Sequence, residues 1–287
     1  MKINLDGVQL WFDTIGSALT IDQDRVIDRP TIVAIHGDPG IDHTSLRPSV
    51  EPLTDIAQIV ILDQRGHGRS DRSTPDNWNT GVWADDVVAL CDALSIESPI
   101  LFGTSFGGEV ALNIAARYPE LPSALVVASS GGGIRDDQAS IEVFRELGGD
   151  AVAEIARRDV EEPSPEAFAE WLDVCLPYYS RRPGAKAYSD EFRARAISTE
   201  EVTIHVMEQG SGQPDPVGLA AKVRSPTLLI CGAHDVVVPA PVVRRLAAGF
   251  DPTIVELEFV PNASHWILRD NPDHAYSVIR SFIARTV

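Results

Sequence analysis

The sequence predicts an α/β protein with a mostly parallel central sheet flanked by helices and with an inserted helical cap. Short apolar runs alternate with helical patterns along most of the 287 residues, which is typical of a parallel sheet covered on both faces. The alternation stops between residues 133 and 213 and then resumes. The length suits one large domain or a core with a smaller insert.

The predicted sheet begins with a hairpin and continues with buried strands. Asp6-Gly7 separates two short stretches, which is a two-residue hairpin signal. The later runs are continuously apolar, as in strands covered on both faces. The hairpin strands are Ile3–Leu5 and Val8–Phe12, and the buried strands are Thr31–His36, Gln58–Asp63, Pro99–Gly103, Ala124–Ala128, Thr227–Cys231 and Ile254–Val260.

Three stretches of the core show helical periodicity. Apolar residues from Trp83 to Leu94 lie on one helical face, and so do those from Ala275 to Ile283. A third helix covers Val110–Ala115 and stops at Tyr118-Pro119, because proline cannot continue a helix.

The stretch 133–213 lacks strand-like runs and is rich in Glu, Arg and Ala. We therefore predict a helical cap over 133–213 and a core formed by 1–132 and 214–287. Glycine-rich segments flank the cap at Gly131-Gly132-Gly133 and Gly210-Ser211-Gly212, and both are candidate hinges.

Composition limits the classes of partner. The formal net charge of −18 repels phosphate backbones and anionic lipids, so we expect neither nucleic acid nor membrane as a partner. The sequence shows no apolar run long enough to span a bilayer and no signal-peptide pattern at its start. The cysteines Cys91, Cys175 and Cys231 have no metal or disulfide spacing. Together these features favour the cytoplasm, and the oligomeric state is left open.

Ser105 is the candidate nucleophile. It lies in Gly103-Thr104-Ser105-Phe106-Gly107, directly after a predicted strand and directly before a predicted helix. A G-x-S-x-G motif in that context is typical of a strained turn that exposes the serine hydroxyl. The helix that follows also favours negative charge near its amino terminus.

A serine nucleophile needs a base that is oriented by an acid, and in this arrangement the chain order is Ser, acid, His. Asp235 and His265 each follow a predicted strand, at the sheet edge where such sites lie. We therefore predict a catalytic triad of Ser105, His265 and Asp235. Asp136 is the rival acid, and His234 is a weaker candidate base because adjacent residues usually point apart.

The loop His36-Gly37-Asp38-Pro39-Gly40 follows another predicted strand. A loop in this position supplies one backbone amide to the oxyanion, and the residue after the nucleophile supplies the other. These amides belong to Asp38 and Phe106. A carboxylate beside an oxyanion would oppose catalysis, so we expect the Asp38 side chain to point away.

In this order, the motifs HGDPG, DQRGHGRS, GTSFGG, GAHD and a late SH resemble those of the α/β-hydrolase superfamily. More narrowly, the chain resembles the proline iminopeptidase-like group, which typically carries HGGPG, DQRGxGxS and GxSxGG. The resemblance implies the same triad and oxyanion amides, and it implies that Asp63 and Arg65 support the loop. HGDPG departs from HGGPG, and Phe106 stands where that group usually has Trp.

The substrate pocket is less well specified by the sequence. Glu109 lies one helical turn after the nucleophile and is a candidate ligand for a substrate amine, although a carboxylate stabilised by the helix dipole is the favoured explanation. Aromatic residues of the cap, and the residue after the base, are candidates for an apolar pocket, with ordinary packing as the alternative. These residues are Phe168, Trp171, Tyr178, Tyr179 and Trp266.

The predicted function is hydrolysis of a small carboxylic ester, lactone or amide through an acyl-enzyme, with a small-molecule substrate and no cofactor or metal. We expect short-chain esters or lactones to react faster than proline anilides. The alternatives are an aminopeptidase of the proline iminopeptidase type, carbon–carbon bond hydrolysis or perhydrolysis on the same triad, and a small-molecule receptor with little turnover. Fold alone does not decide among them.

Overall fold

A computed structural model describes residues 1–22, 25–162 and 164–287. Within them, eight strands form one sheet in the order β1-β2-β6-β5-β7-β8-β9-β10, and β3 and β4 pair separately. The strands are β1 (Lys2–Leu5), β2 (Val8–Ile15), β3 (Leu19–Asp22), β4 (Arg25–Asp28), β5 (Thr31–Ile35), β6 (Gln58–Asp63), β7 (Ile100–Thr104), β8 (Ala124–Ala128), β9 (Thr227–Gly232) and β10 (Val255–Val260).

The sheet is antiparallel only at one edge, where β2 pairs with β1 and β6. The other neighbours are parallel, so the predicted mostly parallel sheet is confirmed. The predicted limits of β6 and β8 match the structure. Strand β7 is shifted by one residue at both ends, and the other buried strands differ by one residue at one end. β2 extends three residues further than predicted, because its second half pairs with β6.

The helices cover both faces of the sheet. They are α1 (Arg47–Val50), α2 (Thr80–Ala93), α3 (Phe106–Arg117), α4 (Asp137–Gly148), α5 (Asp150–Glu161), α6 (Pro165–Val174), α7 (Ala185–Arg195), α8 (Glu200–Gln209), α9 (Pro216–Ala220), α10 (Ala240–Ala247), α11 (Ile267–Asp270) and α12 (Pro272–Thr286).

Strand β5 shows why the central runs are continuously apolar. Its alternate side chains enter two different cores: Val33 and Ile35 pack with residues of α2 and α3, whereas Ile32 and Ala34 pack with residues of α12. All four are fully buried. A strand buried on both faces has no solvent side on which a polar residue could lie.

Five helices, α4 to α8, follow β8 within residues 133–162 and 164–213. Part of this segment has a small core of its own, in which Phe144, Ala153 and Cys175 pack with Val236 from the loop after β9. The chain enters and leaves this segment at neighbouring points, because Gln213 Nε2 donates a hydrogen bond to the carbonyl oxygen of Gly132 at 3.2 Å. The segment is helical as expected, and its exact domain limits stay a prediction.

The β3–β4 hairpin was not predicted from the sequence. It stands outside the central sheet, and Ile21 and Val26 are paired across it with about 75% and 67% of their surface exposed. A hairpin that buries so little gives no core-facing pattern to recognise. No helix in the described residues is both long enough and apolar enough to cross a membrane.

Candidate active site

Ser105 occupies a strained turn between β7 and α3. Its backbone has φ 49° and ψ −122°, a conformation that L-residues rarely adopt. The flanking glycines are required by close approach: a Cβ on Gly103 would lie 2.3 Å from the Gly107 carbonyl oxygen, and a Cβ on Gly107 would lie 2.2 Å from that of Ile35. The turn is fixed further by the Ser105 amide, which donates to the Ala128 carbonyl at 2.9 Å.

The three predicted side chains meet at this turn. His265 Nε2 lies 3.0 Å from Ser105 Oγ, and His265 Nδ1 lies 3.0 Å from both carboxylate oxygens of Asp235. Asp235 follows β9, His265 follows β10, and both are buried. Oδ1 of Asp235 also accepts hydrogen bonds from the amides of Val237 and Val238, at 2.8 and 2.9 Å. The carboxylate is therefore held rigidly against the imidazole.

The charge around His265 favours its protonated form. Burial by itself lowers the pKa of this imidazole, but the carboxylates of Asp235 and Asp38 outweigh it, so the pKa is raised above the ordinary 6.5. An imidazole with a raised pKa is a stronger base, and it loses its neutral form at a higher pH.

The loop after β5 lies directly against the nucleophile. A Cβ on Gly37 would come within 2.9 Å of Ser105 Cβ. In the part of the chain that the structure describes, the amides of Asp38 and Phe106 donate no hydrogen bond to another protein group. Both amides are therefore available to bind an oxyanion.

His36 holds the loop after β5 in place by two hydrogen bonds. Its Nδ1 donates to the Gly37 carbonyl at 2.9 Å, and its Nε2 accepts from the Gln64 amide at 3.2 Å. Burial lowers the pKa of this fully buried imidazole and keeps it neutral. Its role in the geometry is structural.

Asp38 lies close enough to the site for its charge to act there. It lines the same cavity as Ser105 and His265, and the charges of Asp38 and His265 shift each other's pKa. Its backbone has φ 52°, in the left-handed region. The expected orientation of its side chain, away from the oxyanion, stays a prediction.

The cavity over Ser105 has a volume of about 50 Å³. A water molecule needs about 10–15 Å³ by this measure, so the cavity holds about four groups of that size. Its walls come from the segment around α1, from α7 and from the loop that carries His265. Besides Asp38, Ser105 and His265, it is lined by Gly37, Ser45, Leu46, Ser49, Thr104, Ala128, Tyr188, Phe192, Trp266, Ile267, Leu268 and Arg269.

The predicted pocket residues divide into two groups. Trp266 lines the cavity, and the Tyr179 ring packs edge-on against His265 with centroids 4.8 Å apart. Phe168, Trp171 and Tyr178 do not line it, because Phe168 stacks on Trp171 and the other two pack on the small core of the cap. Ordinary packing accounts for these three.

Glu109 also lies outside the cavity lining. Its carboxylate accepts a hydrogen bond from Ser211 Oγ at 2.6 Å, and its backbone carbonyl accepts one from Gln213 Nε2 at 3.0 Å. Burial raises the pKa of this carboxyl. Glu109 therefore fastens the segment that returns from the cap, and it is not positioned to bind a substrate amine in the cavity.

One cluster has the composition of a metal site. The ligand atoms of Asp42, His43 and Asp63 lie within 4.8 Å of one another. Asp63 is already occupied, because it accepts from His43 Nδ1 at 2.6 Å, from the His43 amide and from the Arg69 amide. The Arg69 guanidinium also contacts Asp42 and Asp63. These contacts fit a support for the loop better than a cation site.

The helical segment α4 to α8, which we predicted to be a cap, is joined to the loop that carries His265. The Trp266 amide donates to the Tyr179 carbonyl at 2.8 Å. Asp270 accepts hydrogen bonds from Ser180 Oγ and the Arg181 amide of the cap, and from the Ser264 amide next to the base. One buried carboxylate thus connects the cap to the residue before His265.

Comparison with known proteins identifies the family to which the fold belongs. A family model described as alpha/beta hydrolase fold matches residues 30–272. The chain belongs to the α/β hydrolase fold family. The predicted α/β-hydrolase fold is therefore confirmed.

Named members of this family span several hydrolytic chemistries. The chain is 38% identical over 103 residues to a 2-hydroxymuconate semialdehyde hydrolase of Pseudomonas sp. (strain CF600), a match that covers 35% of this chain and 36% of that relative. It is thus aligned with about a third of the first curated relatives' length. A putative esterase/lipase of Haemophilus influenzae is 24% identical over 90% of this chain and 85% of its own.

Among solved structures, the fold is similar to that of a proline iminopeptidase from Mycobacterium smegmatis. The TM-score is 0.76 at 20% identity, and the match covers 100% of this chain and 98% of the other. This likeness establishes the common fold.

Proposed function

We propose that this protein is a serine hydrolase that cleaves a small carboxylic ester, lactone or amide through an acyl-enzyme. One observation carries the proposal: a serine hydroxyl on a strained turn lies 3.0 Å from His265 Nε2, whose other nitrogen lies 3.0 Å from Asp235. A nucleophile, a base and an orienting acid in this contact pattern are the parts that acyl transfer requires.

In the acylation step, Ser105 Oγ attacks the substrate carbonyl carbon as its proton passes to His265 Nε2. The negative charge on the carbonyl oxygen is bound by the amides of Asp38 and Phe106. Asp235 accepts the Nδ1 proton in a hydrogen bond and stabilises the imidazolium. The tetrahedral intermediate then breaks its bond to the leaving group, which takes the proton from Nε2.

In deacylation, water replaces the leaving group. His265 Nε2 removes a proton from the water as the oxygen attacks the acyl carbon, and the same two amides bind the oxyanion. The bond to Ser105 Oγ then breaks, and the serine recovers its proton from His265. The cycle releases the acid and restores the resting enzyme.

The size of the cavity favours a small acyl group. Leu46 and Phe192 are nearly fully buried and line the cavity together with Ser105, and the volume of about 50 Å³ leaves room for a chain of only a few atoms. The relationship to a putative esterase/lipase over most of the chain supports ester cleavage as the reaction to test first.

The direct test combines active-site labelling with turnover. We expect a fluorophosphonate to label the native protein and not the Ser105→Ala variant, and we expect p-nitrophenyl acetate to be hydrolysed only by the native protein. Labelling without turnover of any ester, lactone or anilide would instead favour the receptor alternative. The C–C hydrolase alternative, suggested by the relative from Pseudomonas, is tested on a 2-hydroxymuconate semialdehyde in the same panel.

A further inference from the structure

The loop after β5 is held at its far end by the segment that leads into helix α8. The Thr199 amide donates to the Gly40 carbonyl at 2.6 Å, and the Asp42 amide donates to the Ile197 carbonyl at 3.2 Å. An isolated antiparallel bridge lies between these two hydrogen bonds. The loop that carries one of the proposed oxyanion amides is therefore paired with a distant stretch of the predicted cap.

One side chain of α8 also reaches this loop. Thr203 Oγ1 donates a hydrogen bond to the Pro39 carbonyl oxygen at 2.8 Å. No other group in the described residues donates to that oxygen. The contact is tight, because a Cβ on Gly40 would lie 2.1 Å from Thr203 Oγ1 and 2.6 Å from the Thr199 carbonyl oxygen. Helix α8 comes this close to the loop only because residue 40 is glycine.

The Pro39 carbonyl lies at a point where the loop could change shape. Proline fixes its own φ at about −65°, whereas Gly40, at φ 83°, can adopt either hand of backbone conformation. The peptide between them can therefore rotate at little cost unless its carbonyl is held. The Ile41 amide closes this turn by donating to the Asp38 carbonyl at 3.0 Å, so a rotation at Pro39 also displaces Asp38.

The position of the Asp38 amide matters because an oxyanion hole acts through donors that are already in place. These donors have to lie about 2.7–3.1 Å from the point where the oxyanion forms. A misplacement of about 1 Å can reduce the rate by about a hundredfold. Thr203 does not line the cavity, so it affects the position of this amide only through the loop.

We propose that Thr203 is a positioning residue for the oxyanion hole. Its hydroxyl holds the Pro39 carbonyl, and this bond keeps the preceding Asp38 amide directed at the substrate carbonyl. The inference rests on the proposed acyl-transfer function, which supplies the oxyanion. It gives helix α8 a part in stabilising the transition state without any contact with the substrate.

The role of Thr203 is tested by removing its hydroxyl. Thr203→Val has nearly the same shape and a similar helix propensity, but its side chain donates no hydrogen bond. We expect kcat for p-nitrophenyl acetate to fall by about tenfold or more with KM within about twofold, because the oxyanion is absent from the bound substrate. The adduct of 1,1,1-trifluoroacetone with Ser105 carries an oxyanion, so this ketone should bind more weakly to Thr203→Val by the same factor.

Two further variants serve as controls. Thr203→Ser keeps the hydroxyl and should recover most of kcat. Thr286→Val removes a hydroxyl that donates to the Phe282 carbonyl of α12 at 2.9 Å, and it should leave kcat and ketone binding unchanged. The acid limb of the pH profile should be the same in all of these proteins, because none of the changes alters the surroundings of His265. A displaced limb in Thr203→Val would show that the change acts on the base, and it would overturn the proposal.

Hydrogen exchange separates this proposal from the proposed function, because it requires no turnover. We expect the hydrogen-bonded amides of Ile41 and Asp42 to exchange faster in Thr203→Val than in native protein or in Thr203→Ser. If kcat were unchanged in Thr203→Val, whatever the exchange rates, the proposal would be overturned and the hydrolase would stand. Faster exchange in Thr203→Val, with no ester hydrolysis and no ketone binding by native protein, would support the hold of Thr203 on the loop and overturn the hydrolase.

Discussion

The Cys231 thiol lies 3.4 Å from Oδ2 of Asp235, the oxygen that the two amides of the following turn do not contact. The same sulfur lies 3.3 Å from the Val238 carbonyl oxygen, so the single S–H has two acceptors to choose between. A thiol is a weak hydrogen-bond donor, so Cys231 stabilises the Asp235 carboxylate only slightly.

Replacement of Cys231 by alanine should therefore alter catalysis without abolishing it. Loss of a donor leaves Asp235 better able to stabilise the imidazolium, so the acid limb of the pH profile should move to higher pH. We expect kcat/KM at neutral pH to fall by less than about tenfold, since one weak hydrogen bond contributes about 1 kcal/mol. Cys175→Ala is the control, because that buried thiol donates to the Val152 carbonyl away from the site. Identical profiles for both variants would show that Cys231 is only a packing residue.

Substitutions in the proposed triad should act as a unit. We expect Ser105→Ala and His265→Ala each to remove roughly 10⁶-fold of kcat, and the double variant to lose little more. Asp235→Asn should cost roughly 10⁴-fold, because it favours the wrong imidazole tautomer. Steady-state kinetics on p-nitrophenyl acetate measures all four. Near-native activity in Asp235→Asn would place the acid elsewhere, but the rival Asp136 caps α4 by accepting from the Ala139 amide.

The pH dependence of ester hydrolysis should show the influence of Asp235 and Asp38 on the pKa of His265. His265 accepts a proton only when it is neutral, and its pKa is raised above 6.5. Activity on an ester should therefore fall as pH decreases through a value above 6.5. Asp38→Asn removes one of the charges that stabilise the imidazolium, so the limb should move to lower pH, whereas Glu109→Gln should leave it in place. An unchanged limb in Asp38→Asn would mean that the two groups do not interact.

The walls of the cavity should set the acyl chain length. Native protein should prefer p-nitrophenyl acetate or butyrate to the decanoate. Leu46→Ala and Phe192→Ala enlarge the cavity and should shift the preference towards longer chains. Phe168→Ala removes a cap aromatic that does not line the cavity, so its chain-length profile should match that of the native protein. If the chain-length preference changed only in Phe168→Ala, the acyl chain would lie against the aromatic residues of the predicted cap, as the sequence suggested.

Acid stability should depend on His67. This imidazole is fully buried between His36 and Trp83, and burial lowers its pKa from 6.5 to about 3. Between pH 6.5 and about pH 3, His67 is protonated in the unfolded chain but neutral in the folded chain. The free energy of unfolding therefore decreases as pH falls through this range. At pH 5 the loss is about 2 kcal/mol. Urea unfolding should show a shallower dependence on pH for His67→Phe than for native protein or for His274→Gln, a partly exposed histidine. Parallel dependences would exclude His67 as the source.

The sheet and the meeting of Ser105, Asp235 and His265 could be predicted because they depend on local sequence. Buried strands are continuously apolar, and the residues just after β7, β9 and β10 lie at one edge of the sheet whatever the details of packing. The pocket walls could not be predicted in the same way. Leu46 and Phe192 are 146 residues apart, and they line one cavity only because the tertiary fold brings the segment before α1 and helix α7 together beside Ser105. The positive φ of Asp38 could not be predicted either, because aspartate does not require it.

The contacts of Asp270 have a consequence for substitutions far from Ser105. This carboxylate accepts hydrogen bonds from the Ser180 hydroxyl, from the Arg181 amide and from the Ser264 amide beside His265, and the Trp266 amide donates to the Tyr179 carbonyl. A change in the backbone near Ser180 is therefore transmitted to the loop that carries His265. The alignment of the histidine depends on the helical segment above the sheet as well as on the sheet itself.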